Sequence, residues 1–366
     1  MDFAFTDEQR ALHDEMRALG AAVAGARPED RLSELARGGA LGLCIDTAFG
    51  GGGHDLQTTA YAYEALGAAV PDGGVLLAAG AHLFGVALVV QQVGTDDQKS
   101  RWLPQLASGE RIATVAATEP ESGSNIGAAK ALVAPQDDGF VVNGDKCYVT
   151  NAAAAHQFLF VGRPSASARG LTTVLLSKGA GVVVGEPLPT LGLRSAGLAP
   201  VEFRDCPADA DDVLGRPGAG MAVFQAAMTY ERALVLAFRL GAMQRALDEA
   251  ALFARKRRLA DRPIADHQAV SHRLARMKLR LETARLLLYR TAWSLDQGER
   301  AHAEAALTKW HLADAALESA ADALLLRGGA GFLEPAGLGA ELADALGGSI
   351  HSGTQDVLPL IVARAL

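Results

Sequence analysis

Two short stretches near the middle of the chain carry residue types that suit a planar ring with polar edges. Residues 118–125 read TEPESGSN and residues 143–152 read NGDKCYVTNA. Together they supply hydroxyl groups, loop backbone N–H groups and one aromatic face. Neither stretch has the spacing of a phosphate loop, a metal cluster or a nucleophile elbow. The chemistry to look for is therefore that of a bound aromatic cofactor.

Composition limits the class of protein that carries these stretches. The chain has 366 residues, which predicts two or three packed units, and 49% of its residues are hydrophobic. A net charge of −8 argues against a surface that binds nucleic acid as a whole. Three scattered cysteines favour a reduced cytoplasm, and the polar start does not resemble a signal peptide. The apolar segment from Val75 to Val90 predicts a buried helix and not a membrane span.

The residue pattern divides the chain into three parts. Residues 1–111 have helical spacing, with capping boxes at Thr6–Gln9 and Thr95–Gln98. Residues 112–216 contain short strands, and Asn143-Gly144 predicts a tight hairpin turn between two of them. Residues 217–366 return to helical spacing. The predicted fold class is α+β multidomain: an N-terminal helical domain, a middle small β-barrel or sandwich, and a C-terminal helical bundle.

This order, with several motifs, resembles the acyl-CoA dehydrogenase family over essentially the whole chain. The two stretches above resemble that family's paired flavin-binding signatures. Other similar segments are residues 94–110, 191–195, 213–215, 263–268, 328–332 and 353–354. One such motif alone would be unspecific, whereas this many in the family's order make the resemblance specific.

The resemblance implies FAD as the cofactor and assigns its contacts. Thr118 and Thr150 would donate to the edge of the isoalloxazine ring, and Tyr148 would cover one face of it. Ser124 would contact the pyrophosphate beside Gly123. Fixed donors matter there because the reduced flavin carries negative charge. The remaining implied FAD-binding residues are Arg257, Gln268, Gly328, Gly329, Thr354 and Asp356, with Arg257 reaching a neighbouring subunit's cofactor. Taken singly, a Thr or Tyr in a strand is equally explained by β propensity.

The catalytic base departs from the family's usual arrangement. Most members carry a Glu in an Ile-Tyr-Glu-Gly-Thr stretch, but residues 350–354 read IHSGT here. The hydroxyl of Ser352 alone is too weak to take a carbon-bound proton. A minority of the family places the base in a Glu-Arg pair on the first helix after the barrel, and Glu231-Arg232 stands at that position. Burial among apolar neighbours would raise the pKa of Glu231 toward that of a useful base.

Two alternatives to this base remain open. Glu231 would be purely structural if it only paired with an Arg on a helix surface. His351 is the runner-up base, although packing or hydrogen bonding is its more ordinary role. In either case the resemblance implies that the backbone N–H of Ser352 binds the thioester carbonyl and stabilises the enolate.

Three further departures affect the inter-subunit part of the predicted FAD site and leave the ring contacts unchanged. Residues 257–261 read RRLAD where the family has Arg-x-x-Phe-Gly. Leu325 replaces a cofactor-contacting Gln, and Ala343 stands where an Arg is usual.

The predicted function is an FAD-dependent dehydrogenase acting on an acyl thioester, on an acyl carrier protein in preference to CoA. A hydroxymalonyl or methoxymalonyl extender unit of polyketide biosynthesis is favoured by a small margin. The alternatives are a prolyl-carrier-protein dehydrogenase, a short-chain acyl-CoA dehydrogenase that reduces an electron-transfer flavoprotein, and a non-catalytic flavin-binding scaffold. We expect a cytoplasmic homodimer or homotetramer with no metal, nucleic acid or membrane partner.

A concentration of positive charge in this acidic chain bears on the partner. It would dock CoA phosphates or an acidic carrier protein, unless it is only a solvated helix face. The residues are Arg255, Lys256, Arg257, Arg258, Arg262, Arg273, Arg276, Lys278 and Arg280.

Overall fold

The computed structural model of the protein describes residues 4–168 and 170–366, and within them the chain begins with helices. These are α1 (Asp7–Gly25), α2 (Arg31–Arg37), α3 (Leu56–Ala69), α4 (Gly73–His82), α5 (Leu88–Val93) and α6 (Asp96–Ala107). Both predicted capping boxes are present. The Thr6 hydroxyl accepts the Gln9 N–H at 3.2 Å while the Gln9 side chain accepts the Thr6 N–H at 2.9 Å, and Thr95 and Gln98 repeat the pair.

The segment formed by α4 and α5 is the most apolar part of the chain. One π-helical turn, Leu83–Ala87, joins the two helices. Over Gly73–Val93 the mean hydropathy reaches 2.1 in an 18-residue window, enough by length and composition to cross a membrane. All of that window is buried inside the protein, which makes the segment a core helix, as the sequence predicted.

The middle of the chain forms two four-stranded sheets. One has the order β1-β4-β5-β8 and the other β2-β3-β7-β6. The strands are β1 (Ile112–Ala116), β2 (Leu132–Gln136), β3 (Gly139–Val149), β4 (Ala155–Gly162), β5 (Thr172–Ser177), β6 (Val182–Val184), β7 (Ala199–Asp209) and β8 (Val213–Leu214). Phe158 and Phe160 of the first sheet meet Phe203 of the second in edge-to-face contacts, and all three are fully buried. The two sheets therefore enclose a core of their own.

The prediction of a hairpin turn at Asn143-Gly144 is wrong. β3 runs through both residues, and the turn between β2 and β3 lies at Asp137-Asp138, where Asp137 has a φ of +48°. A register shift against β7 occurs just before Gly144. A Cβ atom at Gly144 would lie 2.4 Å from the Cβ of Ala131. Glycine is therefore needed for a close approach inside the sheet and not for a turn.

The last part of the described chain is helical, with a short hairpin after its second helix. The elements are α7 (Gly220–Leu234), α8 (Ala237–Lys256), β9 (Arg258–Leu259), β10 (Arg262–Pro263), α9 (Gln268–Asp296), α10 (His302–Leu326), α11 (Leu338–Gly347) and α12 (Leu358–Ala363). α8 packs directly on α3. A Cβ at Gly67 would lie 1.8 Å from the carbonyl oxygen of Phe238, and one at Gly241 would lie 2.0 Å from that of Glu64. Glycine thus lets the two helix backbones touch.

A buried ion pair joins the loop after β1 to β3. The ammonium group of Lys146, fully buried, donates to Glu119 Oε1 at 2.8 Å and to the carbonyls of Ala117 and Val161 at 2.9 and 2.7 Å. Each of its three protons therefore has an acceptor. Glu119 also accepts the backbone N–H groups of residues 130 and 131 at 2.7 and 3.1 Å. Burial alone would raise the pKa of Glu119, but these donors and the Lys146 charge outweigh it and lower the pKa.

We predict that Lys146→Met lowers the free energy of unfolding of the apoprotein by about 3–5 kcal/mol, because it leaves the Glu119 carboxylate buried without a partner. Lys130→Met is the matched control, since Lys130 pairs with Glu121 on the surface and the change should cause no clear loss. Urea titration of both variants measures the difference. Equal stability of the two variants would contradict the role given to Lys146.

Candidate active site

The ring-binding residues predicted in the middle domain lie at the ends of β1 and β3. The Thr118 carbonyl accepts the N–H of Cys147 at 2.9 Å, which brings the loop after β1 beside the end of β3. The Thr150 carbonyl accepts the Thr114 hydroxyl at 2.5 Å. Thr118, Tyr148 and Thr150 are thereby brought to one edge of the domain by backbone contacts.

Tyr148 is presented by an irregularity in the strand. The register between β3 and β7 shifts between Lys146 and Val149, and Tyr148 has a φ of +55°. Such a bulge re-aims a side chain away from the sheet's alternation. Tyr148 as a whole residue is 64% exposed, which is unusual for a large aromatic residue.

These residues fit the ring of a flavin. Within residues 4–168 and 170–366, the hydroxyls of Thr118 and Thr150 form no hydrogen bond, so both remain free to donate. An exposed aromatic ring beside free hydroxyls suits a planar heterocycle with polar edges. Gly123 and Ser124 lie in the exposed loop that follows, where Glu119 and Ser122 exchange backbone hydrogen bonds of 2.9 and 3.1 Å.

Glu231 and Ser352 are brought into contact although 121 residues separate them. The Ser352 hydroxyl donates to Glu231 Oε1 at 2.5 Å. Glu231 lies on α7 and only 8% of its surface is exposed. Burial raises the pKa of Glu231, in the direction predicted from its apolar neighbours, although the Ser352 hydroxyl, Arg232 and Lys309 act against that rise.

The loop that carries Ser352 is held by two cations. Arg232 donates from Nε to the carbonyl of Ser352 at 2.8 Å, and Lys309 donates from Nζ to the carbonyl of Gly353 at 2.6 Å. Lys309 lies on α10 and is fully buried. Burial first, and then the charge of Arg232, lower the pKa of Lys309 to about 7. The backbone N–H of Ser352, where φ is +56°, has no acceptor in the described part of the chain.

His351 supports Ser352 and has a neutral ring. Its Nδ1 lies 3.0 Å from the Ser352 hydroxyl oxygen. Burial lowers the pKa of His351 well below its ordinary value, and the charges of Lys309 and Arg239 act in the same direction. The hydrogen-bonding role foreseen for this residue accounts for its position better than a role as base does.

The apolar segment Gly73–Val93 lies against the carboxylate of Glu231. A Cβ atom at Gly85, in the π-helical turn, would lie 3.0 Å from Glu231 Oε2 and 3.3 Å from a methyl group of Val115. Val115 belongs to β1, whose Thr114 holds the Thr150 carbonyl. β1 therefore runs between the predicted ring-binding edge and the residues packed beside Glu231.

The other predicted FAD contacts stay predictions. Arg257 ends α8 and donates its N–H to Phe253, and Gln268 is the first residue of α9; both are exposed. Gly328, Gly329 and Asp356 are also exposed, and Thr354 lies just before α12 with its carbonyl accepting from residues 357 and 358. None of these residues hydrogen-bonds to Thr118, Tyr148, Thr150 or Glu231 within residues 4–168 and 170–366.

Sequence reasoning missed Lys309, Gly85 and the pairing of Lys146 with Glu119. A signal existed for Lys309, because its neighbours on the same face of α10 are all apolar, and a lysine is out of place on such a face: Ala305, Ala306, Leu312 and Ala313. No local pattern marks Gly85, since its neighbour Glu231 is distant in sequence.

Comparison with known proteins identifies the family. The acyl-CoA dehydrogenase N-terminal, middle and C-terminal domain models match residues 6–110, 114–206 and 218–366. An L-prolyl-[peptidyl-carrier protein] dehydrogenase of Pseudomonas fluorescens is 42% identical over 332 residues, covering 90% of this chain and 87% of that protein.

Solved structures agree in fold. The prolyl acyl carrier protein oxidase AnaB superposes with a TM-score of 0.95 at 30% identity, covering 99% of both chains. PigA with FAD and proline superposes with a TM-score of 0.95 at 31% identity, covering 100% of this chain and 99% of that one. The predicted fold class and resemblance are confirmed, and the chain belongs to the acyl-CoA dehydrogenase family.

Proposed function

We propose that the protein is an FAD-dependent oxidoreductase that dehydrogenates an acyl thioester attached to a carrier protein, and that the acyl group is L-prolyl. The observation that carries the proposal is the buried carboxylate of Glu231, hydrogen-bonded to the serine that stands where most family members carry their base. The names of AnaB and the Pseudomonas relative support the carrier-bound prolyl group, and the proline present with PigA supports the prolyl part of it. The extender-unit substrate stays a prediction without such support.

Each residue of the proposed site has a separate role in the reaction. Thr118, Thr150 and Tyr148 would hold and orient the flavin ring. FAD, when bound, supplies the acceptor for the hydride that leaves the substrate carbon next to the α carbon. Glu231 removes the α proton, because a carboxylate with a raised pKa binds that proton more strongly than an ordinary one. The free N–H of Ser352 would donate to the thioester oxygen as negative charge develops there.

The free part of the basic cluster favours an acidic carrier protein as partner. Lys278 forms an ion pair with Glu282, and Arg280 forms one with Glu318. Arg273 and Arg280 both pair with Asp322. Arg255 and Lys256, at the exposed end of α8, form no ion pair within the described residues. Unpaired positive charge attracts an acidic partner and speeds its association. An electron-transfer flavoprotein as acceptor, a homo-oligomeric state and a cytoplasmic location complete the proposal.

We predict that Glu231→Gln keeps the yellow flavin but slows anaerobic bleaching by substrate about 10²–10⁴-fold, since the amide cannot accept the α proton. Stopped-flow absorbance of the flavin band measures the rate. Glu318→Gln, which removes a carboxylate on the surface of α10, is the control and should bleach like the wild type. Unchanged bleaching in Glu231→Gln would exclude this residue as the base.

We predict that L-prolyl thioester on a carrier protein bleaches the flavin of the wild-type protein faster than L-prolyl-CoA or butyryl-CoA does. The same stopped-flow assay compares them under anaerobic conditions. Bleaching by CoA thioesters alone would support the short-chain dehydrogenase, and bleaching by hydroxymalonyl-carrier protein alone would support the extender-unit enzyme. A colourless protein that cannot be reconstituted with FAD would contradict the proposal as a whole.

We predict a pH-dependent stability difference between the Glu231→Gln and wild-type apoproteins. The folded state raises the pKa of Glu231 above 4.5, so it holds this proton more tightly than the unfolded chain does. Wild-type stability therefore falls as pH rises from about 4.5 through the raised pKa, and the glutamine variant lacks this loss. Urea midpoints at several pH values measure the gap, which should grow with pH in favour of Glu231→Gln. A constant gap would show that the carboxylate is not destabilised by burial.

A further inference from the structure

We infer that Ser352, held by His351, is a positioning residue for the base: its hydroxyl fixes one oxygen of the Glu231 carboxylate and leaves the other free to meet the substrate. The inference rests on the proposed role of Glu231 as the base. It gives the serine side chain a task separate from that of its backbone N–H.

The two carboxylate oxygens have different surroundings. Oε1 accepts the Ser352 hydroxyl at 2.5 Å. Oε2 lies on the side of Gly85, where even a Cβ atom would approach it to 3.0 Å. Oε2 receives no hydrogen bond within residues 4–168 and 170–366. Because Oε1 is engaged by Ser352, Oε2 is the oxygen whose lone pairs are left to accept a substrate proton.

The hydrogen bonds run in one direction, toward the carboxylate. An ionised carboxylate can only accept hydrogen bonds, so the Ser352 hydroxyl must donate its hydrogen bond to Glu231. The Ser352 oxygen is then an acceptor, which requires the proton of the neutral His351 ring to lie on Nδ1, 3.0 Å away. His351 Nε2 is correspondingly a buried nitrogen without a hydrogen-bond partner among the residues that the structure describes. The chain from His351 through Ser352 to Glu231 thus favours the ionised base.

The serine hydroxyl is not needed to hold its own loop. Arg232 and Lys309 already bind the carbonyls of Ser352 and Gly353. The charge of Arg232 on α7 and, below its pKa of about 7, that of Lys309 on α10 also face Glu231, while Lys309 and Arg239 face His351. Arg232 and Lys309 therefore anchor the loop and stabilise the carboxylate electrostatically. The Ser352 hydroxyl contributes one specific hydrogen bond, which fixes the orientation of the Glu231 carboxylate.

The test is the pH profile of kcat/KM for Ser352→Ala and Ser352→Gly holoenzymes, with Ser349→Ala as the matched control. Ser349 is three residues away, and its buried hydroxyl has no hydrogen-bond partner in the described part of the chain, so its loss should change nothing. Glycine at position 352 is compatible with the φ of +56°, so this variant folds even if alanine is poorly tolerated there. We expect the acid limb of both Ser352 variants to move to higher pH, because the ionised carboxylate loses a donor. On that limb the rate should fall about 10- to 100-fold, as for a lost hydrogen bond to a charged group.

An infrared titration of the Glu231 carboxylate band, assigned by its absence in Glu231→Gln, gives a readout independent of turnover. The band should also titrate at higher pH in both Ser352 variants and as in the wild type in Ser349→Ala. A rate that falls equally at all pH values, with the band unmoved, would overturn the inference and leave Ser352 a structural residue. If Glu231→Gln itself bleaches normally, the proposed function fails instead, and the two failures are thereby distinguished.

Discussion

The ion pair of Lys146 with Glu119 is the interaction on which the ring-binding edge depends. Lys146 lies on β3, and its ammonium group donates hydrogen bonds to acceptors in the loop after β1 and in β4. A buried ion pair adds little net stability over apolar packing, but one lysine with three fixed acceptors permits few alternative arrangements. The position of Thr118 beside the strand bulge that presents Tyr148 follows from this contact. The edge that carries the hydroxyls and the exposed ring is thus held by a fully buried charge.

The carboxylate at Glu231 is subject to two opposing demands. Burial makes it a stronger base, yet burial also favours the neutral form, which cannot accept a proton. Arg232, Lys309 and the Ser352 hydroxyl offset part of that penalty without forming a closed salt bridge that would occupy both oxygens. The loop of residues 351–353 would therefore act on the proposed base, although it carries no carboxylate of its own.

Much of the architecture follows from local patterns, whereas the contacts of the site do not. Capping boxes at Thr6 and Thr95, the strand positions and the burial of Glu231 were all predictable, because each depends on neighbours in sequence. The pair Asn143-Gly144 led to a wrong prediction of a turn, because the sequence does not distinguish a glycine needed for close approach from a glycine needed for a turn. The contact of Ser352 with Glu231 and the anchoring by Lys309 join residues far apart in the chain, and no periodicity encodes them.

The buried segment Gly73–Val93 has a consequence for how the chain reaches its fold. Val235 is one of the residues that cover this segment, since a Cβ atom at Gly80 would lie 3.4 Å from its side chain. The hydrophobic core that contains the segment runs from α1 to α11. The helices from α7 to α11 are synthesised last. For most of translation, the apolar segment, which is long enough to cross a bilayer, therefore lacks the helices that cover it in the folded protein. The N-terminal and C-terminal helices share one core, whereas the two sheets enclose another. Until the C-terminal helices are made, the segment exposes apolar surface of the kind that makes partly folded chains prone to aggregate.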